Sequence, residues 1–325
     1  MIVVGAIPHN MATDTFELFL EAHPLYNSAY NSLLAASRLL ATSAQLVYEL
    51  HPEALGPVAD DILAFVQGSY PPDYIDAYVS RIDKMAELQK KFDAKPIPAN
   101  LGDSTVVSPE AYSLALLLSI VFTNHRFEIM QALARFFRDL PPDSAGRIAL
   151  IGCGTGYELK LAAELLPGWN IEGYDTDSDM RARAEQLLKF FRVPKTVDFR
   201  VAFPLDAASP RIRTHYDTIV LCEVLEHLRD PGRALKMLSD CLTDSGKMFV
   251  TMAINIAQED HVFLYPDIGS CRRQIQESGL TIVYEWLAPQ TIRFPPANRE
   301  TGFKKGNYIA IVERVCKLPR VAISD

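Results

Sequence analysis

Residues 147–157 read Arg-Ile-Ala-Leu-Ile-Gly-Cys-Gly-Thr-Gly-Tyr, and the rest of the chain is read outward from them. Arg147 to Ile151 is an aliphatic run of the kind that forms a buried strand. Three glycines follow at 152, 154 and 156, and a helical pattern begins at once over 157–166. Glycine is needed where the chain turns sharply and its backbone must approach a ligand, because a Cβ would stand in the way. The next strand, Trp169-Asn-Ile-Glu-Gly-Tyr-Asp175, ends in an acid 19 positions after Gly156. A carboxylate at that strand end can accept hydrogen bonds from both hydroxyls of an adenosine ribose.

NAD and S-adenosylmethionine both contain that ribose, so Asp175 favours neither. The loop separates them. Its spacing is GxGxG, and Tyr157 stands where a dinucleotide loop has its further glycine. A cofactor without a pyrophosphate does not need that close backbone approach, so the spacing favours the sulfonium cofactor. Gly152, Cys153, Gly154, Gly156, Asp175 and the following Thr176 are its expected contacts.

From Arg147 onward, strand and helix signals alternate. Strands are expected at 148–151, 169–174, 197–201, 218–222, 247–253, 281–287 and 308–314, with helices at 157–166, 178–191, 230–242 and 267–278. Alternation of this kind builds βαβ units and a mostly parallel sheet. Only a Pro/Gly-containing segment joins the last two strands, which predicts antiparallel neighbours. Upstream the pattern is helical. Ser32–Leu50 sets Leu33, Leu34, Leu39, Leu40, Leu46 and Val47 at three-to-four-residue spacing. Further helices are predicted at 57–67, 72–92, 109–122 and 124–139, with a linker over 95–103 and a stop at Pro141-Pro142. The expected fold class is α/β: a Rossmann-like, doubly wound, seven-stranded and mostly parallel sheet with an antiparallel last strand, preceded by an all-helical N-terminal domain. Residues 1–140 form that cap, a substrate-binding or dimerisation domain, and 141–325 form the cofactor-binding domain.

Residues 146–315 resemble a class I S-adenosylmethionine-dependent methyltransferase. The motifs are Ile151-Gly-Cys-Gly-Thr-Gly156, Gly173-Tyr-Asp175, and Tyr216-Asp-Thr-Ile-Val-Leu-Cys-Glu-Val-Leu-Glu-His-Leu228. The resemblance implies that Gly152–Gly156 line the methionyl moiety and Asp175 the ribose, with Glu223 as a neighbour of the cofactor. It also implies an acid after the third strand to meet the adenine amine, and Asp206 is the candidate here. Phe203-Pro-Leu departs from the glycine–acid pair the family usually carries there. The N-terminal helical part carries no such resemblance.

Glu223, Glu226 and His227 follow the apolar strand Thr218–Cys222. If the chain is helical from Glu223, they stand at i, i+3 and i+4 and share one face. Two carboxylates and an imidazole beside a cofactor pocket call for a positive partner. Three readings stay open. Glu223 and His227 order the cofactor loop by hydrogen bonds; or His227 is a general base with Glu226 fixing its tautomer; or the three bind a divalent metal with His261, from the loop after the fifth strand. Small-RNA 3′-terminal 2′-O-methyltransferases carry a similar Glu-x-x-Glu-His set with a distant His, holding magnesium. Mg, Mn, Fe and Zn all suit such mixed donors. His227 and His261 are the expected carriers of the chemistry.

Half of the 325 residues are hydrophobic and about a fifth charged, the balance of a globular protein. No apolar run reaches 18 residues, which predicts no membrane-spanning helix. The first ten residues lack the charged and apolar regions of a secretory leader, and Met11 offers a second start. Five cysteines without a CxxC pair suit reduced thiols, so a cytoplasmic setting is expected. The net charge of −8 lies wholly in residues 1–145, with 9 Lys and Arg against 17 Asp and Glu. That argues against a grip on a nucleic-acid backbone. The expected function is methylation of a small organic molecule, at oxygen, with S-adenosylmethionine as donor and with or without a metal, in a possible homodimer. The alternatives are RNA 2′-O-methylation at a Glu-Glu-His-His metal site and a catalytically idle cofactor-binding subunit.

Overall fold

Along β1 (Arg147–Ile151) the side chains alternate: Ile148 and Leu150 enter one core, Ala149 and Ile151 the other. With both faces covered, the strand must be apolar throughout, which is why it reads as a continuous aliphatic run. The structure, a computed structural model, describes residues 52–71, 91, 108–141, 145–193, 197–201, 215–256, 258, 260–289 and 305–315.

The other strands are β2 (Asn170–Asp175), β3 (Val197–Val201), β4 (Tyr216–Leu221), β5 (Leu242–Ile254), β6 (Leu280–Pro289) and β7 (Gly306–Arg314). They form one seven-stranded sheet in the order β3-β2-β1-β4-β5-β7-β6. The pairs from β3 through β5 are parallel, and β7 lies antiparallel between β5 and β6. The sheet expected from the sequence is therefore present, reversed last strand included.

The helices are α1 (Pro52–Ser69), α2 (Pro109–Phe122), α3 (Asn124–Arg138), α4 (Tyr157–Leu165), α5 (Ser178–Phe190), α6 (Pro231–Ser239) and α7 (Ile268–Glu277). Their starts follow from capping chemistry. Ser108 accepts from the Ala111 amide ahead of Pro109, Asp177 caps α5, and Asp230 caps α6 ahead of Pro231. A reciprocal Asp267–Ser270 pair opens α7. One core takes α1 to α5, and the opposite one takes α6 and α7.

Three expectations need comment. The helix expected to reach 242 stops at Ser239, because Leu242 is fully buried and enters β5 opposite Tyr216. The helix α3, assigned to the cap by a division at 140, lies against α4 and against β5, β6 and β7. On that face the core runs unbroken from Leu63 and Phe137 to Phe249 and Ile309. The helices expected at 32–50 and 72–92, the linker at 95–103, and Asp206 lie outside the described residues.

Candidate active site

The strand order turns between β1 and β4, and at that switch point the carboxyl ends of two parallel neighbours open a crevice where ligands of such sheets bind. The loop after β1 is left-handed at all three glycines, with φ of 66°, 48° and 83° at Gly152, Gly154 and Gly156. A Cβ at Gly156 would stand 2.7 Å from Ala184 Cβ, so this glycine lets α4 seat against α5. A Cβ at Gly152 would meet Val224 Cγ2 at 2.7 Å, so that glycine lets the β1 and β4 loops touch. The Cys153 amide donates to the Tyr174 carbonyl (3.0 Å) and ties the loop to β2.

Asp175 closes this half of the site. The Gly154 amide donates to its Oδ2 (2.8 Å) and the Asp177 amide to its Oδ1 (3.0 Å). Burial raises its pKa, against the pull of those backbone donors. Cys153 is buried, while Gly152 and Thr176 are exposed at the mouth of the loop.

The β4 end departs from the helical expectation. Glu223 is left-handed (φ 55°), and only a 3-10 turn, Leu225–His227, follows. A reciprocal pair of hydrogen bonds holds Glu223 in that conformation. Its amide donates to Thr251 Oγ1 (2.7 Å), and the Thr251 hydroxyl donates to Glu223 Oε1 (2.8 Å). Asn307, from the start of β7, donates to the same Oε1. The Arg126 guanidinium lies 3.5 Å from Oε2. Burial alone would raise the Glu223 pKa, but Arg126 above all holds it below the usual carboxylate range. Glu223 is thus turned away from the shared face that a helix would have given it.

The grouping that forms is Glu226, His227 and His261, with one ligand atom from each within 4.8 Å of the others. The two imidazoles meet edge to face, their centroids 5.0 Å apart. His227 Nδ1 faces the Asp260 carbonyl at 3.1 Å and His261 Nδ1 the Ile256 carbonyl at 3.0 Å. A carbonyl only accepts, so both rings carry their proton on Nδ1 and leave Nε2 bare. The His227 tautomer is therefore set by Asp260 rather than by Glu226. Burial, then the neighbouring His227, pushes the His261 pKa down to about 4. Glu226 is fully buried, neither of its carboxylate oxygens has a hydrogen-bond partner, and desolvation followed by repulsion from Glu223 raises its pKa well above the usual range. Backbone amides of Val262 and Phe263 both donate to the Glu226 carbonyl at 2.9 Å, locking the loop that carries His261 to the turn that carries the other two.

Sequence reading missed Arg126 and His125, which enter from the first turn of α3. Arg126 Nε and His125 Nδ1 are buried without partners, and burial pushes the His125 pKa down to about 4. A cation in a first helical turn runs against the helix dipole, and that was the available signal. The Tyr112 hydroxyl of α2 donates to Asp260 Oδ2 (3.0 Å), and Tyr265 is buried in the core. A separate cavity of 310 Å³ lies between α3 and β6–β7, lined by Glu128, Arg135, Phe136, Tyr284 and Trp286 among others, and includes none of the residues above.

A family model described as a methyltransferase domain matches residues 122–292, just over half of the chain, and its match begins beside α3. A ubiquinone biosynthesis O-methyltransferase of Caulobacter sp. (strain K31) is 32% identical over 128 residues, 37% of this chain and 47% of that protein. A trans-aconitate 2-methyltransferase of Rhodopseudomonas palustris (strain HaA2) is 27% identical over 125 residues, 38% and 45% of the two. The chain spans less than half the length of the curated relatives it matches. Among solved structures, an O-methyltransferase family protein from Burkholderia thailandensis is similar at 13% identity and a TM-score of 0.47, covering 86% of this chain and 77% of that one.

Proposed function

Since the chain belongs to the class I S-adenosylmethionine-dependent methyltransferases, we propose that it methylates an oxygen of a small organic molecule. The observation that carries the reading is the meeting, at one switch point, of the glycine loop and Asp175 with the Glu226–His227–His261 grouping. S-adenosylmethionine supplies a methyl carbon on a sulfonium, so a C–O bond forms as the C–S bond breaks and its electron pair returns to sulfur.

The residues present fit that cofactor. Gly152 and Gly154 leave the loop open, and Asp175 presents carboxylate oxygens to the ribose hydroxyls. The buried Arg126, with its unpaired Nε, suits the carboxylate of an amino acid. Thr176 and Cys153 complete the proposed contacts.

The protein's own work is alignment, exclusion of water and removal of the hydroxyl proton. His227 and His261, each with Nδ1 against a backbone carbonyl, would receive or acidify that proton. A divalent ion at this grouping belongs to the same reading. Residues 1–140 would serve as a cap over the acceptor and as a dimer surface, in a cytoplasmic setting. No helix among the described residues is long and apolar enough to cross a membrane.

Isothermal titration of the purified chain with S-adenosylhomocysteine tests the reading. The expected result is one equivalent bound, with a Kd raised at least about tenfold by D175N, a loss of about 1.4 kcal/mol. No heat with the wild-type chain would end it.

A further inference from the structure

Resting on the methyl-transfer reading, we infer that Glu226, His227 and His261 form a three-donor seat for one divalent transition ion, of the manganese, iron or zinc kind and not magnesium, beside the cofactor loop. Glu226 carries the inference. Its carboxylate is fully buried, and among the described residues neither oxygen finds a hydrogen-bond donor. A buried carboxylate left in that state is costly unless a cation joins it. Arg126 pairs with Glu223. What stands within reach of Glu226 is a pair of imidazoles whose Nδ1 atoms are already engaged with backbone carbonyls, one ligand atom of each lying within 4.8 Å of a Glu226 oxygen. A cation placed among the three groups satisfies all of them at once.

The imidazoles are already supported as ligands. Metal-bound histidines donate their second ring N–H to a carbonyl or carboxylate, which fixes the ring and its tautomer. His227 does this with the Asp260 carbonyl and His261 with the Ile256 carbonyl. Asp260 is held in turn by the Tyr112 hydroxyl, so α2 steadies the seat from the N-terminal half. Ligand atoms spread over 4.8 Å must close to about 3 Å for adjacent donors on an ion with bonds of about 2.1 Å.

The donor set selects the ion. Magnesium and calcium take shells of oxygen, whereas two imidazoles and one carboxylate suit iron, zinc or manganese. Glu223, the fourth donor that its spacing in Glu-Val-Leu-Glu-His suggests, is engaged by Arg126, Thr251 and Asn307. Three donors leave positions open on the far side of the ion. An ion held that way acidifies a hydroxyl, which is the chemistry an oxygen acceptor needs.

The test strips the full chain with a chelator and titrates it separately with Zn(II), Mn(II), Co(II) and Mg(II). Calorimetry and the visible Co(II) spectrum are the readouts, and S-adenosylhomocysteine binding is measured in parallel. We expect one equivalent of Zn(II) or Co(II), at least about 100-fold tighter than Mg(II), since an all-protein site with nitrogen donors is poor for magnesium. E226Q and H261A should each weaken Co(II) binding by about 100-fold or more and alter its spectrum, while E223Q should change it by less than about fivefold. Because H261A alters a buried side chain and can fail to fold, H227N at a part-exposed position carries the same expectation. Equal affinity for Mg(II) and Zn(II), or Co(II) binding untouched by E226Q and H227N, would overturn the inference. If S-adenosylhomocysteine binds and no metal does, the ion falls and the methyl-transfer reading stands; if neither binds, both fall.

Discussion

Replacing Arg126 with methionine keeps most of the side-chain volume and removes the buried cation that faces Glu223. The two side chains are 10% and 13% exposed, and the closest nitrogen and oxygen are 3.5 Å apart. At an effective dielectric of about 20, unit charges at that distance attract by about 5 kcal/mol. Relief of the guanidinium's own burial offsets part of this. Breaking a buried pair from one side typically costs about 3–5 kcal/mol, so a loss of about 3 kcal/mol is expected for R126M. Urea unfolding followed by circular dichroism at pH 8 measures it. Without Arg126 the largest pull against burial is gone, and the Glu223 pKa rises relative to the wild-type chain. A rise in the folded-state pKa of a carboxyl is destabilising at high pH and less so as pH falls and it takes up its proton. The deficit of R126M should therefore shrink between pH 8 and pH 5. The double variant R126M/E223Q should recover most of the loss, since neither partner is then left charged and alone. A single-variant cost below about 1 kcal/mol, or a double variant no better than the sum of the singles, would refute the pairing as described.

Three further outcomes follow from the same geometry. G156A should lower stability by about 2 kcal/mol or more, since φ is +83° and the new methyl would sit 2.7 Å from Ala184 Cβ; thermal denaturation checks it, and an unchanged midpoint would contradict it. His125, with a folded pKa of about 4 against about 6.5 unfolded, is protonated first in the unfolded chain. Stability should fall as pH drops from about 6.5 to 4, and H125Q should remove about 3 kcal/mol of that fall, read as a flatter pH profile of urea midpoints. Y112F should leave unfolding within about 1 kcal/mol of wild type yet weaken Co(II) binding about tenfold, because its hydroxyl steadies Asp260; calorimetry decides.

Much of the frame was legible because each local signal agreed with the tertiary demand on it. Ile148–Ile151 had to be apolar on both faces, Gly152, Gly154 and Gly156 take a left-handed backbone, and Pro109, Pro231 and their capping neighbours mark helix starts. The place of Asp175 beside the glycine loop follows from spacing because a strand end and a loop fix it. The β4 end was less legible. Spacing alone gave Glu223, Glu226 and His227 a common helical face, and no propensity announces a left-handed glutamate. Thr251 and Asn307 impose that conformation from strands far off in sequence. His261 could be placed because it follows β5 at the same sheet edge. Arg126 escaped because α3 has an ordinary amphipathic pattern, and its partner lies 97 positions downstream.

Asn307 belongs to the final strand, beyond the last residue matched by the methyltransferase-domain family. A nascent chain emerged only as far as residue 292 already holds the glycine loop, Asp175 and the three clustered side chains, yet Glu223 still lacks the amide that steadies it. This end of the sheet is thus finished by a strand that follows the other six described ones in the chain, and the full set of contacts around its most crowded charges waits on the arrival of β7 between β5 and β6.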